Sequence, residues 1–389
     1  MPKTALDARK KRPNMDWGMT MIYNQIKHVL SVFQLSGRYS DVQELHSGNI
    51  NNTYHLQYKE GNKVHNYTLQ RVNGYVFKRP DVVTENIRLV TDHVKRSLID
   101  DGIDPDRRVL ELIPTRRGEL IYQDEMGSYW RVYRFIENAT AYDVVEKPEH
   151  FYEAGRGFGE FQRRLIDFPA SEIVDTIPDF HNTTRRFCTF VESLTLDRAG
   201  RVADLEEEIE FFFERRRMMS EIVKRLKLGE LPLRVTHNDT KINNVMIDNE
   251  TEKALCIIDL DTVMAGSALY DYGDAIRYGA STAIEDEPDV SKIALDMEKF
   301  KAFTRGFVEE TNGFLTQKEL KLLPLGVKVI TCELAMRFLT DYMDGDLYFK
   351  VRSPYHNLIR THAQMKLLQD IEAKYYEMQA FIDGLIEGN

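Results

Sequence analysis

The sequence predicts an α+β chain of two lobes: a small antiparallel-sheet lobe at the N-terminal end, then a larger, mainly helical one. Three observations carry this. Val42 to Val76 alternates apolar and polar residues and breaks at Gly48 and Gly61, the pattern of hairpin-connected strands. Phe151 to Ile166 and Asp204 to Leu226 repeat their apolar residues at helical spacing beneath charged outer faces. A length of 389 residues is long for one core and natural for two lobes. The expected division is a tail over residues 1–15, a first lobe over 16–136 and a second over 137–389.

Taken in order, the basic cluster Arg9-Lys10-Lys11-Arg12 belongs to the terminal tail. Helical stretches follow around Met19 to Gln34, and then the alternating segment begins. Ser47 to Tyr54 interrupts it with one glycine and three asparagines, and reads as an Asn-rich hairpin. Tyr67 to Val72 is a strand; Val82 to Leu98 is a helix with Glu85 in its first turn, where a carboxylate suits the helix dipole. Trp130 to Ile136 alternates into another strand, from which Glu137-Asn138-Ala139-Thr140 turns away. Pro178 to Arg186 is a loop.

Composition excludes several classes. A net charge of −10 gives no support to nucleic-acid binding, which calls for a basic stripe. No apolar stretch approaches the roughly 18 residues of a membrane span, and the first twenty residues lack a signal-peptide core, so a cytoplasmic protein without membrane partners is expected. Cys188, Cys256 and Cys332 lie far apart in apolar surroundings without a C-x-x-C pattern, as expected of reduced core residues. Oligomeric state leaves no mark on the sequence.

The most informative segment is His237-Asn238-Asp239-Thr240-Lys241-Ile242-Asn243-Asn244, an H-x-D-x-x-x-x-N spacing. Leu231 to Thr236 reads as a strand feeding it and Val245 to Asp248 as one leaving it. An apolar run, Ala254 to Ile258, then ends in Asp259-Leu260-Asp261. Burying a strand that ends in bare acids is costly unless the carboxylates meet cations or hydrogen bonds. Phosphoryl transfer explains these residue types: it requires an aimed hydroxyl, a proton acceptor, and cations around the moving group. Asp239 is placed to orient the hydroxyl and take its proton. Lys241 is placed to neutralise phosphate, and Asn244, Asp259 and Asp261 to hold Mg2+. His237 has no chemical step and is read as a prop for the loop, against the Asp259 backbone.

The octet, the twenty-residue step from Asp239 to Asp259 and the flanking strands resemble the aminoglycoside phosphotransferase and choline kinase superfamily, whose fold is protein-kinase-like. The wording of Leu69 to Asn73, Trp130 to Ile136, Ile258 to Met264, Gly273 to Arg277 and Arg337 to Tyr342 is similar to that of the N-acetylhexosamine 1-kinases, over about Ser47 to Gln369. The resemblance implies a two-lobed fold and an enzyme that uses ATP and Mg2+ to phosphorylate a small-molecule hydroxyl. The implied acceptor is the anomeric hydroxyl of N-acetylglucosamine or N-acetylgalactosamine. The alternatives are another kinase of the superfamily, acting on an aminoglycoside, choline, homoserine or methylthioribose, or a catalytically inactive module that binds nucleotide or sugar.

The same resemblance implies nucleotide contacts. Gly48, Asn49, Asn51 and Asn52 would cover the phosphates, although the stretch departs from G-x-G-x-x-G. Arg71 would hold the α- and β-phosphates where protein kinases use lysine, with Glu85 as its ion-pair partner; Arg71 also reads as a surface arginine on an edge strand. Phe135 and Ile136 would sit by the adenine. On the acceptor side stand Asp274, Arg277 and Tyr278, and then Arg337, Asp341 and Tyr348. Asp274 and Arg277 also suit an ordinary i,i+3 helix pair, and Glu333, Arg337 and Asp341 a solvated ladder. Polar side chains beside aromatic rings are what a sugar site needs.

Overall fold

A computed structural model describes residues 17–45, 50–145 and 147–388. It divides into two compact units, one of residues up to Tyr75 with Leu112–Phe135, the other of Val76–Glu111 with the chain from Ile136 onward. The last crossing falls at the turn-away expected near Phe135 and Ile136. The helix expected in the first lobe after Val82 falls instead in the second unit.

The first unit is one helix on an antiparallel sheet. Helix α1 (Trp17–Val32) stands where two helical stretches were expected. Strands β1 (Arg38–Leu45), β2 (Asn52–Glu60), β3 (Lys63–Val72), β4 (Leu112–Ile113), β5 (Tyr122–Gln123) and β6 (Tyr129–Arg134) form the sheet in the order β1-β2-β3-β6-β4, with β5 also on β6. The alternation seen in the sequence separates its two faces. Tyr54, Leu56, Leu69, Trp130 and Val132 pack with Ile26, Val29 and Leu30 of α1. The other face is polar, and on it Gln70 is paired with Arg131 across β3 and β6. The two-residue turn Gly61-Asn62 joins β2 to β3, with Gly61 at φ 61° where a Cβ would be strained.

The second unit is mainly helical. It holds α2 (Pro80–Asp100), the short strand β7 (Ala139–Thr140), α3 (Pro148–Arg164), α4 (Thr183–Leu196) and α5 (Glu206–Lys227). Two small sheets follow, made by β8 (Arg234–Thr236) with β11 (Met264–Gly266), and by β9 (Val245–Asp248) with β10 (Ala254–Ile257) and β7. Helices α6 (Ala268–Gly279), α7 (Met297–Thr311), α8 (Gln317–Lys321), α9 (Leu323–Asp344), α10 (His356–Ala373) and α11 (Tyr375–Glu387) complete it. The core gathers Phe151, Phe158, Tyr272, Phe300, Phe303 and Phe307 with Val245 and Ile247 of β9.

Two glycines set the spacing of α6 and α9. A Cβ on Gly273 would overlap the Gly326 carbonyl oxygen, and one on Gly326 would overlap that of Leu269, so the two backbones touch. Cys256 and Cys332 are buried as expected, but Cys188 is exposed on α4. Among the described residues, no helix is long and apolar enough to cross a membrane.

Candidate active site

The segment after β8 is held almost atom by atom. The amides of His237 and Asn238 donate to the two oxygens of Asp271 on α6, at 2.9 and 2.7 Å. Gln162 of α3 donates to the same carboxylate at 2.7 Å. Asn238 takes the left-handed conformation, φ 64°, which asparagine tolerates better than most residues. Its side chain donates to the carbonyl of Thr262 and accepts from the hydroxyl of Thr236. Burial pushes the Asp271 carboxyl above the usual carboxylate range, opposed by the hydrogen bonds from the two amides and from Gln162.

His237 is fully buried, and its Nε2 lies 2.9 Å from the Ile258 carbonyl. A carbonyl only accepts, so Nε2 carries a proton and Nδ1 is left to accept the Asp239 amide at 3.3 Å. The prop is one residue from where the sequence put it: it bears on Ile258, not on the Asp259 backbone. Two bonds from one neutral ring thus tie the Asp239 backbone to the strand that leads into Asp259.

The Asp239 side chain is 28% exposed, and its Oδ1 lies 2.8 Å from the Lys241 ammonium. Burial alone would raise its pKa, but Lys241 outweighs burial and holds the carboxyl below the usual range. Lys241 is correspondingly raised: burial works against its charge, and Asp239 and Asp274 more than compensate. Asn244 donates its amide nitrogen to the Asp239 carbonyl at 2.8 Å and to Oδ2 at 3.3 Å. That orientation reserves the amide oxygen for a cation.

Pairing of Val245 with Ile257, and an Ile258 amide that donates to the Asn244 carbonyl at 2.9 Å, bring Asp259 beside Asn244. Asp259 is exposed at φ 59°, a left-handed turn that swings its carboxylate out while Leu260 enters the core. A carboxylate and an amide oxygen on adjoining strands are hard donors and fit Mg2+. Asp261 is different, 3% exposed, with its carbonyl accepting the Thr176 hydroxyl.

Asp274 and Arg277 are buried parts of this framework. Asp274 accepts the Thr240 amide through Oδ2 and Arg277 through Oδ1, and Arg277 also pairs with Glu285 at 2.8 Å. Burial opposes the Arg277 charge, and Asp274 and Glu285 raise its pKa all the same. Tyr278 lies under Lys241, whose ammonium is 5.8 Å from the ring centre.

A second group of the expected residues meets on α9. Arg337, its side chain 13% exposed, lies over the rings of Phe180, Tyr348 and Phe349 at 5.2 to 5.6 Å, and 3.9 Å from Glu333. Asp341 sits one turn on but does other work. It accepts the amides of Leu347, Tyr348 and Phe349 and the Asn357 side chain, and so shapes the loop that carries Tyr348. The loop expected over Pro178–Arg186 gives way to α4 at Thr183; the segment frames the cluster, with Arg186 donating to the Phe180 carbonyl and His181 bonded to Glu333 at 3.0 Å.

In the first unit the expected residues scatter. Gly48 and Asn49 lie outside the described residues. Asn51 accepts the Asn73 amide and pins the ends of β2 and β3, and Asn52 pairs with Arg71 in the ladder. Arg71 projects on the α1 side of the sheet, 5.9 Å from the Trp130 ring. Gln70 and the buried Arg131 occupy the opposite face. Phe135 stacks on His55 at 4.6 Å, and Ile136 is buried in the second unit. Glu85 is bound by Arg88, which holds its carboxyl below the usual range.

Sequence reasoning passed over Asn86, next to Glu85. It is buried, donates to the carbonyls of Val174 and Val263, and accepts the Val174 amide, tying α2 to the turn after Asp259. Its one signal was an amide on the apolar side of an amphipathic helix. Asp271 was passed over too; a carboxylate among the aromatics of Tyr270-Asp271-Tyr272 was the mark it left.

The model of the phosphotransferase enzyme family matches residues 41–296, more than half of the chain. The chain belongs to that family. Solved structures agree in fold across nearly the whole length. A spectinomycin phosphotransferase crystallised with ADP and spectinomycin is 14% identical, with a TM-score of 0.56 over 90% of this chain and 98% of that one. Choline kinase from Cryptosporidium parvum is 14% identical, with a TM-score of 0.54 over 89% and 93%. A choline/ethanolamine kinase family protein from Mesorhizobium loti is 15% identical, with a TM-score of 0.53 over 94% and 100%. The enzyme is a small-molecule kinase with the α+β, protein-kinase-like fold.

Proposed function

We propose that the kinase transfers the γ-phosphoryl group of ATP to the anomeric hydroxyl of an N-acetylhexosamine, giving the sugar 1-phosphate and ADP. One observation carries the acceptor: Glu333 and Arg337, held by His181 and ringed by Phe180, Tyr348 and Phe349, on a helix whose backbone touches α6. Hydrogen-bonding groups beside stacking faces suit a pyranose. A second guanidinium, Arg186, has its pKa lowered by burial and then by Arg337. Two neighbouring arginines oppose a cationic acceptor such as choline or an aminoglycoside.

Asp239, kept ionised by Lys241, orients the sugar hydroxyl and accepts its proton as the new P–O bond forms. An anomeric hydroxyl is more acidic than an ordinary alcohol, so a base of low pKa suffices. Lys241 would reach the γ-phosphate, and Asn244 and Asp259 would hold a Mg2+ ion, which would neutralise phosphate charge. Asp274 and Arg277 aim the loop, and within the first unit the polar face of the sheet carries Arg131 as its buried cation. The test is ATP consumption with N-acetylhexosamines, plain hexoses, choline and an aminoglycoside. The expected result is turnover with the N-acetylhexosamines and formation of an acid-labile sugar 1-phosphate. Turnover with choline or the aminoglycoside instead would overturn the acceptor, and tight ATP binding without any turnover would make the protein a binding module.

A further inference from the structure

Three buried polar atoms on the α9 side have no hydrogen-bond partner among the described residues: the Tyr270 hydroxyl, His181 Nε2 and Glu333 Oε1. They belong to a single cluster. The His181 and Tyr270 rings are 5.0 Å apart, His181 Nδ1 lies 3.0 Å from Glu333 Oε2, and Arg337 stands 3.9 Å from Glu333 Oε1. Glu333 is 1% and Tyr270 3% exposed. Folded proteins pair such atoms, because an unpaired one forfeits its hydration for nothing. Three in one place are suited to a guest that brings matching groups.

The atoms define that guest. Burial would raise the Glu333 pKa, but His181 and Arg337 outweigh it and hold the carboxyl below its usual range, so Glu333 is ionised and only accepts. His181 therefore donates to Glu333 from Nδ1, which leaves its Nε2 unpartnered. Tyr270 and Arg337 supply donors. The guest must donate to one side and accept from the other at neighbouring atoms. A protonated amine cannot accept, and an ether cannot donate. A pair of hydroxyls does both, and so does a secondary amide through its N–H and its carbonyl, but only an acetamide also brings a methyl group. The rings of Phe180 and Tyr348 around Arg337 offer an apolar rim to a methyl group.

We propose that this cluster is the subsite for the acetamido group of the acceptor: Glu333 accepts the amide N–H, Tyr270 and Arg337 donate to the carbonyl, and the methyl group rests on Phe180 and Tyr348. The assignment rests on the N-acetylhexosamine acceptor proposed above, and adds His181, Glu333 and Tyr270 to it as specificity determinants. Arg337, partly exposed, and Tyr348, 51% exposed, lie at the solvent side, where the group would enter.

The experiment compares kcat/KM for N-acetylglucosamine, glucosamine and glucose in the wild type, Glu333→Gln and Tyr270→Phe, each checked by thermal melting. The readout is the preference for N-acetylglucosamine over glucose, which a purely structural role would leave alone. Expected is a wild-type preference of roughly 100-fold or more that falls at least about 10-fold in each variant. An unchanged preference in folded variants overturns the subsite while leaving the acceptor standing, as would be the case if the cluster held only ordered water. A wild type inactive on every N-acetylhexosamine overturns both. Should Glu333→Gln fail to fold, Tyr270→Phe, which removes one oxygen, decides alone.

Discussion

On one side of α6 the Asp271 carboxylate accepts two loop amides and Gln162; on the other, the hydroxyl of Tyr270, one residue earlier, is buried with no partner among the described residues. The loop side is mostly satisfied from within the fold: His237, Asn238 and Thr240 spend their polar atoms on α6, on Thr236 and on the backbone of Asp239, Ile258 and Thr262. The acceptor side is left open, with Glu333 and His181 each holding one unsatisfied atom. Chemistry shared by a family can be locked rigidly, since its geometry does not change from one acceptor to the next. Recognition of a particular acceptor leaves groups waiting for it.

The contrast is open to attack from its strongest point down. Asp239→Asn should lower kcat by about a thousandfold or more while ATP binding and melting temperature stay near wild type. Near-normal turnover would remove Asp239 as the proton acceptor and with it the meaning of the locked loop. Asp271→Ala should strand two amides and Gln162, with a stability loss of roughly 3 kcal/mol in denaturant titration and a lower kcat. A loss in kcat without any in stability would mean that the loop does not depend on this acid. Arg337→Met, on the open side, should raise the acceptor KM by about 10- to 100-fold and leave the ATP KM and the melting temperature almost unchanged.

Lys241→Met gives a pH test with a definite sign. In the wild type Lys241 outweighs burial and holds Asp239 below the usual carboxylate range, so the acid limb of kcat lies below that range. Without the ammonium, burial prevails, the Asp239 pKa rises, and the limb should move to higher pH along with a general loss of rate. A limb that stays in place would show that another group titrates there. The smallest effect belongs to Glu85→Ala. Its carboxylate is exposed and bound by Arg88, so the change should cost about 0.5 kcal/mol or less and leave activity within about twofold.

The second unit was more legible than the first. Spacing alone marked Asp239, Asn244 and Asp259, and the fold brings the three together, because a loop between two strands is local in sequence and local constraints survive in a single chain. The acceptor cluster was half visible: Arg337 and Tyr348 stood out on α9, whereas His181 and Tyr270 come from distant segments that only the contact of α6 with α9 and the loop before α4 bring together. Asp341 and Asp274 showed the limit of reading type without pairing, since a carboxylate among aromatics serves equally to accept a substrate or to staple a loop. Arg71 failed for a different reason. Strand alternation decides which face a cation points to, and a shift of one residue along Leu69-Gln70-Arg71 exchanges α1 for the polar face, where Arg131 in fact lies.

The backbone contact between Gly273 and Gly326 carries a consequence for how such an enzyme can change. It works as a fixed ruler: Asp271 and Asp274 of α6 hold the loop, α9 carries the proposed acceptor groups, and the close approach of the two helices is set by the absence of two side chains. A methyl group at either glycine would displace one helix from the other. The expected casualty is aim: a protein that still folds and still binds both of its substrates, with the hydroxyl no longer in line.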